Sequence, residues 1–252
     1  MTSEQGLSYR KLWGSSLRCL LLTGQDRKRV ADFLMEMASP SGAVVSPVDH
    51  DWMPQGFLNS LEAMLDKEKF LVDLDNQSTL SNWWLIKRTS RTLTPNWDIA
   101  STCFMNNVKG LILVEAKAYD AELKQDDKTG SEANYHQISN AIGEASAGLN
   151  TLCPGWSLSA DTHYQLSNRF AWAWKLATMG IPVVLIYLGF LNAREMSNKG
   201  VVFTSHQPWV DCLKRYASRV VPDDAWDRCF DINGTPMWVL LRSAELVFNK
   251  TE

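Results

Sequence analysis

The chain has 252 residues, 45% of them hydrophobic and 21% charged, a composition that suits a folded globular protein and excludes a fibrous or disordered one. This length holds one large domain, or one domain with an extension. The formal net charge of −3 excludes a globally basic footprint for polyanions, so any such partner would have to be met by local patches. Three short stretches qualify: Arg27-Lys28-Arg29, Lys87-Arg88 with Arg91, and Lys214-Arg215 with Arg219. Each reads as a solvated face ahead of a nucleic-acid contact. The five cysteines are widely spaced and form no CxxC pair, so they read as reduced, small buried hydrophobes. The four histidines form no metal-binding spacing. Leu17–Leu22 is too short for a secretory core and is interrupted by Arg18. The longest apolar run, Ile181–Leu191, is too short to span a bilayer. A soluble cytoplasmic protein with no membrane partner is expected.

In chain order, residues 1–38 read as helical, with Val30, Phe33, Leu34 and Met37 at helical spacing. Residues 39–56 contain Pro40, Gly42, Pro47, Pro54 and Gly56 and read as a loop. The organisation expected is an N-terminal helical extension over 1–54 and a compact α/β domain over 55–252. The spacing of Phe57, Leu58, Leu61, Met64 and Leu65 predicts a helix from Gln55 to Lys67, with Glu62 on the border of its apolar face. Strands are predicted at Trp83–Ile86, Trp97–Phe104 and Gly110–Ala118. Residues 132–149 form a helix with Ile138, Ala141, Ile142, Ala145 and Leu149 as its buried stripe. A second helix, Asp161–Met179, buries Leu166, Phe170, Ala173, Trp174 and Ala177, and carries a polar stripe of Asp161, Gln165, Asn168 and Arg169. Val183–Leu188 reads as a buried strand, His206–Val220 as a helix and Met237–Leu241 as a last strand.

The stretch Pro95-Asn96-Trp97-Asp98 followed by Glu115-Ala116-Lys117 carries the chemistry. Side chains alternate faces along a strand, so Glu115 and Lys117 share a face. The intervening Asn106-Asn107-Val108-Lys109-Gly110 has hairpin-turn chemistry. A two-residue turn at Asn106-Asn107 sets Asp98 opposite Glu115, and a four-residue loop ending at Lys109 sets it opposite Lys117. Both registers put Asp98 on the Glu115/Lys117 face, which a one-residue slip would not. Two opposed carboxylates and a backbone carbonyl, that of Ala116, suit a small hard cation that prefers oxygen ligands. Lys117 suits positioning of a water nucleophile and offsetting of transition-state charge, and Arg169 suits a phosphate clamp. Asp120 and Glu122 read as loop carboxylates. The competing reading is an exposed hairpin with Asp98 as a cross-strand ion-pair partner. The apolar run Leu111–Val114 argues for a buried strand instead, and buried charges need partners or a metal.

This Asp…Glu-x-Lys arrangement resembles the signature of the PD-(D/E)XK nuclease superfamily, although the Pro and Asp are here Pro95 and Asp98 and not adjacent. The resemblance covers roughly residues 55–190. It implies a three-layer, restriction-endonuclease-like α/β core with a mixed central sheet flanked by helices. It implies Mg²⁺, or Mn²⁺, as cofactor and phosphodiester hydrolysis as the reaction. DNA is the implied partner ahead of RNA, with a homodimer as one arrangement for cutting both strands. It further implies an acidic ligand on the helix before the first strand, for which Glu62 is the candidate. A glutamine on a later helix, Gln165 ahead of Gln137, would complete the catalytic set of Asp98, Glu115 and Lys117. The alternative is a catalytically inactive relative that keeps the fold as a binding or scaffold module.

Overall fold

The computed structural model describes residues 13–86, 94–124 and 132–246. Of the helical region predicted over 1–38, residues 1–12 lie outside the described residues, and the rest holds two helices, α1 (Gly14–Thr23) and α2 (Arg27–Ala38). Asp26 starts the second by accepting a hydrogen bond from the Arg29 N–H at 3.0 Å, a normal N-cap. After the Pro-containing loop comes a short strand, β1 (Trp52–Met53).

The helix predicted over Gln55–Lys67 does not form. Gly56 sits at a φ of +60°, the Gln55 N–H bonds Asn59 O at 2.8 Å, and the segment runs as a turn into β2 (Ala63–Met64). Only part of the predicted apolar stripe finds a core: Leu65 is fully buried, whereas Leu58 and Leu61 are 102% and 67% exposed. The helix here is α3 (Leu74–Trp84), capped by Asp73 and burying Gln77, Leu80, Ser81 and Trp84. The predicted strand Trp83–Ile86 is therefore the end of α3 and its exit. Aromatic residues favour strands, but tertiary packing decides otherwise. Trp84 is fully buried, with its ring 5.7 Å from that of Trp172.

The predicted second strand is divided at Asp98 into β3 (Asn96–Trp97) and β4 (Ile99–Met105), which belong to different sheets. β3 pairs with β2, and β4 pairs antiparallel with β5 (Val108–Lys117). The hairpin has the two-residue register, with Met105 opposite Val108 and Ile99 opposite Val114. Asn106 and Asn107 adopt φ of 49° and 64°, the paired left-handed conformation that a tight right-twisted hairpin requires.

Helices α4 (Glu132–Asn150) and α5 (Tyr164–Thr178) then cross to β6 (Val183–Leu191), which lies parallel to β5. The whole predicted stripe of α4 is buried. Helix α6 (His206–Ala217) leads to a terminal hairpin of β7 (Arg228–Ile232) and β8 (Thr235–Glu245), with β8 parallel to β6. The sequence reading lacks β7, whose alternating exposed and buried residues are too few to register. The chain is thus an α/β protein with a mixed six-stranded sheet in the order β1-β4-β5-β6-β8-β7 and, among the described residues, six α-helices.

Alternation of side chains gives the sheet two cores. Ala100, Leu111, Leu113, Leu185, Tyr187, Val239 and Leu241 pack toward α3, α4, α5 and α6. Ile99, Ile112, Val114, Ala116, Val184, Ile186, Leu188 and Leu240 pack toward α1 and α2. No helix among the described residues is long and apolar enough to cross a membrane.

Candidate active site

The site forms where β5 ends, because that is where β4 stops pairing with it. The ladder's last pair is Ile99 and Val114. One residue earlier the chain bends at Asp98, and there the carboxylate takes over the role of the ladder: Asp98 Oδ2 accepts the Ala116 N–H at 2.7 Å. The register sets Asp98 beside Glu115, on the face that looks toward α5.

Glu115 is almost fully buried, and both its oxygens are engaged. Oε1 accepts from Lys117 Nζ, and Oε2 accepts from Arg169 Nε at 2.6 Å. Lys117, also buried, donates to Gln165 Oε1 at 3.0 Å. Gln165 and Arg169 lie one turn apart on α5, so one helix face addresses both Lys117 and Glu115. The Arg169 guanidinium also lies over the Trp97 ring, 4.7 Å from its centroid, and donates to Asn168 Oδ1 at 2.8 Å. Arg169 thus grips a protein carboxylate here, where the sequence suggested a phosphate clamp.

Burial alone would raise the Glu115 pKa, but the Arg169 and Lys117 charges outweigh it and hold the carboxyl below its usual value. Burial likewise disfavours the Lys117 ammonium, yet the Glu115 and Asp98 charges keep its pKa above the ordinary one. Lys117 is therefore a charged donor and not a base. Asp98 goes the opposite way. Burial, and then the Glu115 charge, push it up to about 8. Two carboxylates side by side without full compensation behave in this way.

Glu62 is half-buried and joins the neighbourhood from the extended segment before β2, not from a helix. Its Oε2 accepts from Asn96 Nδ2 at 3.1 Å, and its charge adds to the rise at Asp98. Gln137 lies elsewhere and donates to the backbone oxygen of Trp83 at 2.8 Å. Glu122 is half-buried and ties the end of β5 to the start of α1, accepting the Ala118 N–H at 2.5 Å and the Ser15 N–H at 3.2 Å. Cys19 of α1 is buried within reach of the same charges. Burial, followed by Asp98, Glu62 and Glu115, holds it as a thiol. The placing of Cys19 and Glu122 has no sequence signal, since both depend on how α1 lies against the sheet.

Among the described residues, no group of three or more His, Cys, Asp or Glu side chains is arranged to hold a metal ion. The donor set at the β5 end is smaller: Asp98, Glu115 and backbone oxygen. It matches the one or two carboxylates with which Mg²⁺ is commonly held, waters and phosphate supplying the rest. Asp98 is suited to it, because an adjacent cation would relieve the strain that raises its pKa. Glu115 fits if one of its oxygens exchanges a cationic partner for the ion.

Of the basic patches, Arg27 donates to Pro47 O at 2.6 Å and pairs with Asp51. Lys28 and Arg29 pair with Asp32 and Asp26, and Lys214 pairs with Asp223 at 2.8 Å. Lys87, Arg88 and Arg91 lie outside the described residues. Comparison with family models, with curated proteins and with solved structures gives no match to this chain.

Proposed function

We propose that the chain is a divalent-metal-dependent nuclease that hydrolyses phosphodiester bonds, with DNA as the preferred substrate. The observation that carries this reading is the convergence of Asp98, Glu115, Lys117 and Gln165 on one face at the end of β5. In that reading Asp98 and Glu115 hold Mg²⁺ or Mn²⁺, with the Ala116 carbonyl as a further ligand, while Glu62, bonded to Asn96, stays outside the donor set. The ion, when bound, lowers the pKa of a water and offsets charge on the phosphate. Lys117 supplies a fixed positive charge beside the attacked phosphate, and Gln165 orients its ammonium. Arg169 keeps Glu115 ionised and aimed.

The test is cleavage of plasmid and single-stranded DNA with Mg²⁺ or Mn²⁺, comparing wild type with Lys117→Ala. Metal-dependent cutting that falls by at least about 100-fold in the variant is expected, a loss typical of removing one transition-state donor. Equal cutting by both proteins would overturn the assignment of Lys117.

A second reading is a binding or scaffold module that keeps this constellation without catalysis. It is favoured by the saturation of Glu115, whose two oxygens are already held by Lys117 and Arg169. Normal folding with no metal-dependent cleavage of any nucleic acid would select it.

A further inference from the structure

The guanidinium of Arg169 is held on three sides but not saturated. Nε donates to Glu115 Oε2 at 2.6 Å, Nη1 donates to Asn168 Oδ1 at 2.8 Å, and the Trp97 ring centroid lies 4.7 Å from Cζ. Nη2 donates to no residue among those described, and it is not sealed from solvent. The Nε and Nη2 N–H groups share one edge of the planar guanidinium, and a carboxylate or phosphate facing that edge normally takes both. Glu115 takes only the first, because its other oxygen is held by Lys117 Nζ. The fork beside the carboxylate is therefore half-filled, with the indole and Asn168 fixing its position. Asp98 and Gln165 are partly exposed at the same end of β5, so the site opens to solvent there.

We infer that Arg169 Nη2 donates to a non-bridging oxygen of the phosphate being cleaved, while Nε keeps Glu115 in place. This rests on the nuclease reading above and gives Arg169 a substrate contact besides its ion pair. A guanidinium offers only charged donors and no acceptor, so the empty half of its fork selects an oxyanion. Asp98, Glu115 and Glu62 are three carboxylates set against two cations, Lys117 and Arg169, so an anion alone is not drawn in. A divalent cation on Asp98 and Glu115 reverses that balance. Metal and phosphate should therefore each raise the affinity of the other by the same factor. A phosphodiester has two non-bridging oxygens, one for the ion and one for Nη2, which a monatomic anion lacks.

The test is Arg169→Lys, which keeps a positive charge for Glu115 but has no second edge to offer. Binding of a short single-stranded DNA is measured by fluorescence anisotropy at several salt concentrations, with Ca²⁺ replacing Mg²⁺. The variant should bind the strand at least about 10-fold more weakly than wild type, the scale of one hydrogen bond to a charged group. Its plot of log affinity against log salt should be shallower by about 0.7, the loss of one phosphate contact. Its Mn²⁺ affinity by calorimetry and its denaturation midpoint should stay close to those of wild type. Unchanged strand affinity and salt slope would overturn the contact. So would a loss of Mn²⁺ affinity as large as the loss of strand affinity, which would mean that Arg169 acts through Glu115 alone. If Arg169→Lys does not fold, arginine-selective NMR of wild type takes its place. Arg18 and Arg169 are the buried arginines among the described residues, and Glu195→Ala identifies the Arg18 signal. The Arg169 signal should shift when the strand is added in Ca²⁺, and no shift would overturn the contact. Wild type that cuts DNA while Arg169→Lys binds equally well sinks this contact alone. Wild type that neither binds nor cuts nucleic acid removes the nuclease reading with it.

Discussion

Asp98 and Glu115 are neighbouring carboxylates with opposite electrostatic fates. Glu115 is given two cations, and Asp98 is given one backbone N–H together with the field of Glu115. Asp98 therefore titrates near 8 in the folded protein, against 3.8 for the free side chain. A carboxyl whose pKa rises on folding is most favourable to the fold below its unfolded value, and that contribution is lost as pH rises toward the folded value. Wild type should lose stability between about pH 4 and pH 8 through this group, and Asp98→Asn should lack that part of the slope in denaturant titrations across the range. If the Asp98 carboxylate binds a cation, Mn²⁺ should raise the melting temperature more at pH 8 than at pH 6, where a proton must first be displaced. It should do little to Asp98→Asn. Equal shifts for both proteins at both pH values would show that the ion binds elsewhere. This residue was legible in the sequence because its cues are local: period-two alternation and a pair of asparagines that fix the register. The partner of Arg169 was not legible, because it depends on where α5 rests on the sheet. A free guanidinium in a polar stripe and one committed to a buried carboxylate look the same in sequence.

Among the elements, α5 and the β4–β5 hairpin set the site's dimensions. α5 buries residues on every side, as a helix enclosed by other elements does. Its Arg169 is the counter-ion that allows Glu115 to stay charged out of water. Arg169→Ala should destabilise the protein by about 3–5 kcal/mol, the usual result of stranding half of a buried pair. A drop below about 1 kcal/mol in chemical denaturation would mean that water replaces the guanidinium freely. The hairpin turn is tested separately. Asn107 holds a φ of 64°, so Asn107→Val should cost about 1–3 kcal/mol, whereas Asn107→Gly should be tolerated. The same two elements show what sequence patterns deliver. The stripes of α4 and α5 and the hairpin register follow from periodicity and turn chemistry. The predicted helix over Gln55–Lys67 failed because helical spacing of apolar residues says nothing about whether a core waits for them. Gly56 at positive φ, with Phe57 and Leu58 turned to solvent, marks where that inference breaks. Trp83-Trp84 misled in the other direction, being a pair of strand-favouring residues at the end of a helix that needed their bulk.

For the whole molecule, the question is whether the N-terminal helices are an appendage or part of the folding unit. The sequence suggested an extension over 1–54, since the loop at 39–56 looks like a boundary. The packing gives those residues a larger share. Leu22, Val30, Ala31 and Leu34 of α1 and α2 lie against Ile112, Val114, Ile186 and Leu188, which form the sheet face opposite α5. Arg18 is buried and reaches across to Glu195 beyond β6, at 2.5 and 3.0 Å. Each sheet residue uncovered would forfeit about 1.5–3 kcal/mol of burial, and a typical domain is only 5–15 kcal/mol stable. Losing a few such residues is therefore enough to unfold it. Deletion of residues 1–38 should then give a protein that aggregates or stays unfolded, not a trimmed folded domain. In the full chain, tryptophan fluorescence and far-ultraviolet circular dichroism should report one coincident transition. A soluble 39–252 fragment melting close to the full chain would show instead that the sheet carries its own stability and that α1 and α2 only cover it. The first outcome is the expected one, since α1 carries Cys19 beside the carboxylates and receives Glu122 at its first turn. The end of β5 is held in place from both faces of the sheet.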